Sequence, residues 1–83
     1  MFFASYYPFE LGPLGITVNT VAPGATQTGY ITIKAEQELI PTIPLRRLGL
    51  PEDIANTILF LASEKSSWTT GQIIRVNGGR DLY

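Results

Sequence analysis

Few residues in this chain of 83 could carry chemistry. It has no cysteine and no histidine, which removes thiol nucleophiles, disulfides and the usual zinc ligands together, so no metal site is expected. Three groups of residues remain. Tyr30-Ile31-Thr32-Ile33-Lys34 spaces a phenol and an ammonium by one helical turn, where the charge could lower the phenol pKa. Pro23-Gly24-Ala25-Thr26-Gln27-Thr28 is a polar loop with two hydroxyls, each offering one donor and two acceptor sites. Those hydroxyls suit a ligand or the capping of the loop's own backbone. Arg46 and Arg47 could meet a phosphate, but Arg47 reads first as a tie between its loop and the start of the helix that follows.

The elements that must position these groups can be read from local patterns. Gly12-Pro13-Leu14-Gly15 is a turn by composition. Ile16–Ala22 is rich in β-branched residues and bounded by Gly15 and Pro23, which marks a strand. Its apolar residues fall on both faces, as suits a strand inside a parallel sheet. A short helix is expected over Tyr30–Leu39, after which Pro41 and Pro44 interrupt regular structure. The strongest helix starts at Pro51, since proline loses nothing at the first helical position. Glu52 and Asp53 complement the helix dipole there, and Ile54, Ala55, Ile58, Leu59, Leu61 and Ala62 recur at helical spacing. A second strand is expected over Gln72–Asn77, and Asn77-Gly78-Gly79 ends it as a turn requiring positive φ. Strand, helical connection, strand is a βαβ unit, whose strands run parallel. Two parallel strands leave both faces and both edges wanting cover, so the expected α/β fold is incomplete.

Five blocks of the chain resemble the C-terminal part of the short-chain dehydrogenase/reductase family. Glu10-Leu11-Gly12-Pro13-Leu14-Gly15-Ile16-Thr17-Val18-Asn19 is similar to the approach to the family's sixth strand, and Pro23-Gly24-Ala25-Thr26-Gln27-Thr28 to its Pro-Gly-x-x-x-Thr loop. Arg47–Ala55 resembles a helix entry, Leu59–Ser63 a helix end, and Thr70–Gly79 the last strand. The blocks occur in the family's order, and the look is that of bacterial 3-oxoacyl-acyl-carrier-protein reductases. The resemblance implies the C-terminal βαβ portion of a doubly wound Rossmann-type parallel sheet over residues 10–83. Residues 1–9, with Pro8 near a helix end, do not fit the quoted pattern and read as unrelated sequence or a disrupted helix end.

The same resemblance implies an NAD(P)-dependent oxidoreductase that reduces a carbonyl or oxidises an alcohol. The Pro23–Thr28 loop would hold the nicotinamide: Pro23 and Gly24 shape the turn, the Thr26 backbone meets the carboxamide, and the Thr28 hydroxyl bonds the carboxamide or a phosphate. No G-x-G-x-x-G pattern is present to cradle a pyrophosphate. The family's catalytic Tyr-x-x-x-Lys precedes its Glu-Leu pair by about 17 residues, some five helical turns, which falls ahead of Met1. Tyr30 and Lys34 come after the Pro-Gly loop, so they read as a chance match or lid packing rather than catalysis. No catalytic residue is therefore assigned. The isolated chain is expected to bind no cofactor, because one loop cannot supply the binding energy of a whole site.

Composition bounds the remaining classes. Net charge is −1, with no basic stripe for nucleic acid and no polybasic patch for a lipid surface. No apolar run approaches the roughly 18 residues of a membrane span. Met1-Phe2-Phe3-Ala4 is apolar, but the first basic residue is Lys34, so no signal peptide is expected and the cytoplasm is the default compartment. Two further readings stay open. One is a non-catalytic interaction module that pairs with itself or a full-length relative through the Pro51 helix and last strand, with Phe60 and Trp68 as core or interface anchors. The other is an inert truncated remnant.

Overall fold

A glycine-bounded turn, two short strands and three helices make up the chain in the computed structural model, which describes residues 2–80, with side chains in the first helix from Tyr7 onward. Helix α1 spans Phe2–Leu11 and α2 Ile33–Leu39, while α3 runs over Pro51–Leu61. Strand β1 is Thr20–Pro23 and β2 is Ile73–Val76. Single 3-10 turns lie at Gly12–Leu14, Ile40–Thr42 and Glu64–Ser66.

The two strands pair in parallel, with Thr20 opposite Ile73 and Pro23 opposite Val76. Residues 24–72 connect them, with α3 packed against both. This is the βαβ unit that the alternation of patterns implies. Both strands are shorter than expected. Over Ile16–Ala22 the ladder starts only at Thr20; upstream, one backbone bond from the Gly71 amide to the Val18 carbonyl at 2.7 Å is interleaved with side-chain bonds. The Val18 amide donates to Thr70 Oγ1 at 2.9 Å, Asn19 Nδ2 donates to the Thr69 carbonyl at 3.0 Å, and Asn19 Oδ1 accepts from the Gln72 amide at 3.1 Å. At the other end, Gln72 and Asn77 fall outside β2, and Asn77 turns away into the glycines.

Helix α2 begins later than expected because Thr32 caps it. The Thr32 hydroxyl accepts from the Ala35 amide at 3.1 Å, which leaves Tyr30 and Ile31 outside the helix. Residues 2–11 form one continuous helix, although disruption was expected before Glu10. Pro8 lies inside it and costs one ladder bond without ending it. Gly15, at φ 75°, closes the following turn, its amide donating to the Gly12 carbonyl at 2.9 Å.

The core is small. Among the described residues, Ile43 and Leu48 are the buried apolar side chains, and Ser66 the buried polar one. The Ser66 hydroxyl is satisfied by the Leu61 and Ser63 carbonyls at 2.9 and 3.1 Å. Ile58, Leu59 and Phe60 on α3 are exposed, and Trp68 is completely so, which removes Trp68 from the core. No helix among the described residues is long and apolar enough to cross a membrane.

Candidate functional site at the carboxyl end of the sheet

Ligands of open α/β sheets sit beyond the carboxyl ends of the strands. Here β1 runs straight into the Pro23–Thr28 loop. Gly24 extends the ladder by one bond, its amide donating to the Val76 carbonyl at 2.9 Å. A side chain is impossible at that point without movement: a Cβ on Gly24 would stand 2.6 Å from Asn77 Cβ and 2.8 Å from Asn77 Cα. The glycine is thus required by close approach of the backbone at the end of β2.

The next residues are braced against the segment before α3. Thr26 and Gly49 form a parallel bridge, the Gly49 amide donating to the Ala25 carbonyl and the Gln27 amide to the Gly49 carbonyl, both at 2.9 Å. The Thr26 hydroxyl donates to the Gly24 carbonyl at 2.9 Å, so its proton is spent on the loop while its lone pairs stay available. Thr28 sits at the exposed tip, and among the described residues no hydrogen bond holds its hydroxyl. Pro23, Gly24 and Thr26 are therefore brought together on a fixed frame, with Thr28 projecting from it.

Gln27 has a part that the motif spacing did not reveal. Its Oε1 accepts from the Gly29 amide at 2.9 Å and the Ile31 amide at 3.3 Å, and its Nε2 donates to the Ile31 carbonyl at 3.0 Å. Gly29, two residues on, takes φ 101° in the turn that this side chain closes. Asn77 stands in the turn expected at the end of the second strand. Its Oδ1 accepts from the Gly79 amide at 3.0 Å and its Nδ2 donates to the Arg80 carbonyl at 2.8 Å. Gly78 and Gly79 take φ of 63° and 88°, as the turn composition requires.

Arg47 acts as a tie. Its guanidinium grips the Asp53 carboxylate with two bonds of 2.8 and 3.0 Å and also donates to the Leu48 carbonyl. Asp53 Oδ2 accepts from the Leu50 amide at 2.7 Å as well, fastening the entry of α3. The hydrogen bonds from Arg47, then that from the Leu50 amide, hold the Asp53 carboxyl down at about 2. Tyr30 and Lys34 do not form a catalytic pair on one helix. Tyr30 precedes the Thr32 cap, is 91% exposed, and stands outside α2, whereas Lys34 lies within it.

Two clefts flank the loop. One of about 320 Å³ is lined by Ala22, Pro23, Gly24, Ala25, Arg75, Asn77 and Arg80. Another, of about 160 Å³, lies among Ala25, Leu45, Arg47, Gly49, Asp53 and Asn77–Gly78. Among the described residues no cluster of acidic side chains could hold a metal ion.

Parallel strands joined through a helix, with a braced loop at their carboxyl end, define a segment of a Rossmann-type α/β sheet. The family whose members are described as enoyl-(acyl carrier protein) reductase matches residues 3–81. That span begins ahead of Glu10 and takes in α1. The chain is 49% identical over 75 residues to 7alpha-hydroxysteroid dehydrogenase of Escherichia coli K12, covering 86% of this chain and 29% of that protein. A 3-oxoacyl-[acyl-carrier protein] reductase structure from Brucella melitensis superposes with a TM-score of 0.89 at 36% identity, over 98% of this chain and 31% of that one. A 7 alpha-hydroxysteroid dehydrogenase complexed with NADH and 7-oxo glycochenodeoxycholic acid superposes with a TM-score of 0.83 at 42% identity, over 99% of this chain and 34% of that one. The chain belongs to the short-chain dehydrogenases/reductases, and it spans about a third of the length of the relatives it matches.

Proposed function

We propose that this chain is the nicotinamide-facing segment of an NAD(P)-dependent oxidoreductase that interconverts a hydroxyl and a carbonyl. The observation that carries this reading is the braced Pro23–Thr28 loop at the carboxyl end of β1, held on one side by Val76 and on the other by Gly49. NAD or NADP is the cofactor implied, and the NADH complex of the similar hydroxysteroid dehydrogenase supports it. The residues present suit a carboxamide: the Thr26 backbone and lone pairs and the free Thr28 hydroxyl supply donors and acceptors. A bound nicotinamide would exchange a hydride with the substrate. The chain's own part is to present the Thr26 and Thr28 oxygens on a frame that does not need to reorganise, which lowers the cost of binding.

No catalytic role falls to Tyr30 or Lys34 in this reading, and the 83 residues alone turn over no substrate. The alternative, a non-catalytic module, is favoured by the bare apolar face of α3. A segment exchange tests the choice. Residues 10–83 replace the corresponding part of the similar Escherichia coli dehydrogenase, and the hybrid is assayed with NADH. The expected result is an active hybrid in which Thr28→Val raises the cofactor KM. The purified chain, assayed with NADH and NADPH against simple ketones, should show no oxidation. A folded hybrid that binds no cofactor refutes the oxidoreductase reading and leaves the module. Turnover by the chain alone that disappears in Tyr30→Phe would return catalysis to Tyr30.

A further inference from the structure

The Gln27 side chain makes three hydrogen bonds, all within its own loop, where a backbone neighbour would ordinarily be. Its Nε2 donates to the Ile31 carbonyl and its Oε1 accepts from the Ile31 amide, so the carboxamide pairs with residue 31 as one strand residue pairs with another. The second bond to Oε1, from the Gly29 amide, closes the turn from inside. The backbone of Gln27 is itself fixed, because its amide donates to the Gly49 carbonyl at 2.9 Å. The two ends of the Thr28-Gly29-Tyr30 tip are thereby tied to the frame that Gly49 provides. All three tip residues are exposed.

The chemistry of the clamp is specific. It needs a donor and an acceptor at the end of two methylenes. Asparagine is one methylene short, leucine of similar size has neither group, and an ionised glutamate accepts but cannot donate. A neutral glutamic acid offers an O–H and a carbonyl in nearly the geometry of the amide.

We propose that Gln27 is a positioning residue: its carboxamide fixes the Gly29–Ile31 turn and so holds the Thr28 hydroxyl in place to meet the cofactor. This rests on the reading of the Pro23–Thr28 loop as the nicotinamide contact. The clamp replaces the entropic cost of ordering an exposed glycine-containing tip at the moment of binding with order that is already present.

Hydrogen exchange of the full 83-residue chain, followed by NMR, tests the clamp without any cofactor. In the wild type the Gly29 and Ile31 amides should exchange severalfold more slowly than their intrinsic rates. Gln27→Leu should remove that protection, with the Thr20, Val21 and Ala22 amides unchanged. Gln27→Glu should lack it at pH 7 and regain it at about pH 3.5, below the ordinary glutamate pKa of about 4.3, whereas Gln27→Leu shows no such recovery. Asp53, held down at about 2, stays largely ionised at that pH, so the tie to α3 does not confound the comparison. Unprotected Gly29 and Ile31 amides in the wild type, protection that survives Gln27→Leu, or a glutamate variant with no recovery in acid would each overturn the clamp.

Positioning of the cofactor contact is tested in the hybrid enzyme. Gln27→Leu should raise the NADH KM about fivefold, the equivalent of one ordinary hydrogen bond, with kcat little altered. Adding Thr28→Val should raise it no further, since both changes remove the same contact. Strictly additive effects would overturn the positioning role. A folded hybrid that binds no NADH refutes the oxidoreductase reading and with it the positioning role, while the exchange data still decide the clamp.

Discussion

At the scale of single residues, two side chains and one missing side chain fix the carboxyl end of the sheet. Gly24 has no room for a methyl group because Asn77 is already in contact distance. Gly24→Ala should therefore destabilise the chain by about 1–3 kcal/mol, the usual cost of overpacking. Gly12→Ala, where an added Cβ meets nothing within 4 Å, is the control and should leave the unfolding midpoint nearly unmoved. Denaturant titration of the two variants compares them directly. The Arg47–Asp53 tie makes a prediction about acid. Asp53 has an ordinary carboxyl value of 3.8 and a folded value of about 2, so folding favours its ionised form. The stabilisation is complete above the ordinary value and is lost as pH falls through the folded one. The stability difference between wild type and Asp53→Asn should therefore be constant above about pH 5 and shrink progressively towards pH 2. A difference that grows on acidification would contradict the assigned tie.

At the scale of elements, the start of α2 depends on one hydroxyl. Thr32→Ala should cost about 0.5–2 kcal/mol and fray the first turn, visible as faster exchange at Ala35 and Glu36. If those amides keep their protection, the cap is not what begins the helix. The same residue shows why parts of the fold were legible and others were not. Pro51 followed by Glu52 and Asp53 marked the start of α3 at the correct residue, since proline and acid act locally at a helix N-terminus. The turn at Asn77-Gly78-Gly79 was equally plain from its composition. The ends of β1 were not, because side-chain bonds of Asn19 and Thr70 interleave with the backbone bonding there, and which partner they find is settled only by the fold. Pro8 misled for the opposite reason: its local penalty is real, yet the helix continues past it. In the candidate site, the loop through Pro23, Gly24 and Thr26 follows β1 as its Pro-Gly composition leads one to expect. The part of Gln27 was not legible, as nothing in a lone glutamine announces that both ends of its amide will find the backbone of residue 31.

At the scale of the molecule, the decisive quantity is exposed surface. A compact chain of 9.1 kDa should expose about 4,900 Å². This one exposes 6438 Å², with a radius of gyration of 15.2 Å where about 12 Å is the norm for its length. The excess is roughly 1,500 Å², nearly twice the roughly 800 Å² that each partner buries in a standard protein interface. It includes apolar side chains: Ile58, Leu59 and Phe60 on α3 and Trp68 beyond it are exposed together with Ile73 on β2. Fully burying one such side chain contributes about 1.5–3 kcal/mol, so covering several can offset the entropy lost on association. The strand pair adds unpaired edges that another chain can extend. We therefore expect the isolated chain to self-associate, or to bind a full-length relative, rather than persist as a tight monomer. Sedimentation over a concentration series should show mass rising with concentration, and the melting temperature should rise with it, because association stabilises whatever state it binds. Replacing Leu59 and Phe60 together by serine should shift both curves towards monomer and lower the melting temperature at high concentration. A monomer with a sharp melt that ignores concentration would show that the small core of Ile43 and Leu48 is sufficient, and that the exposed face of α3 is not an interface.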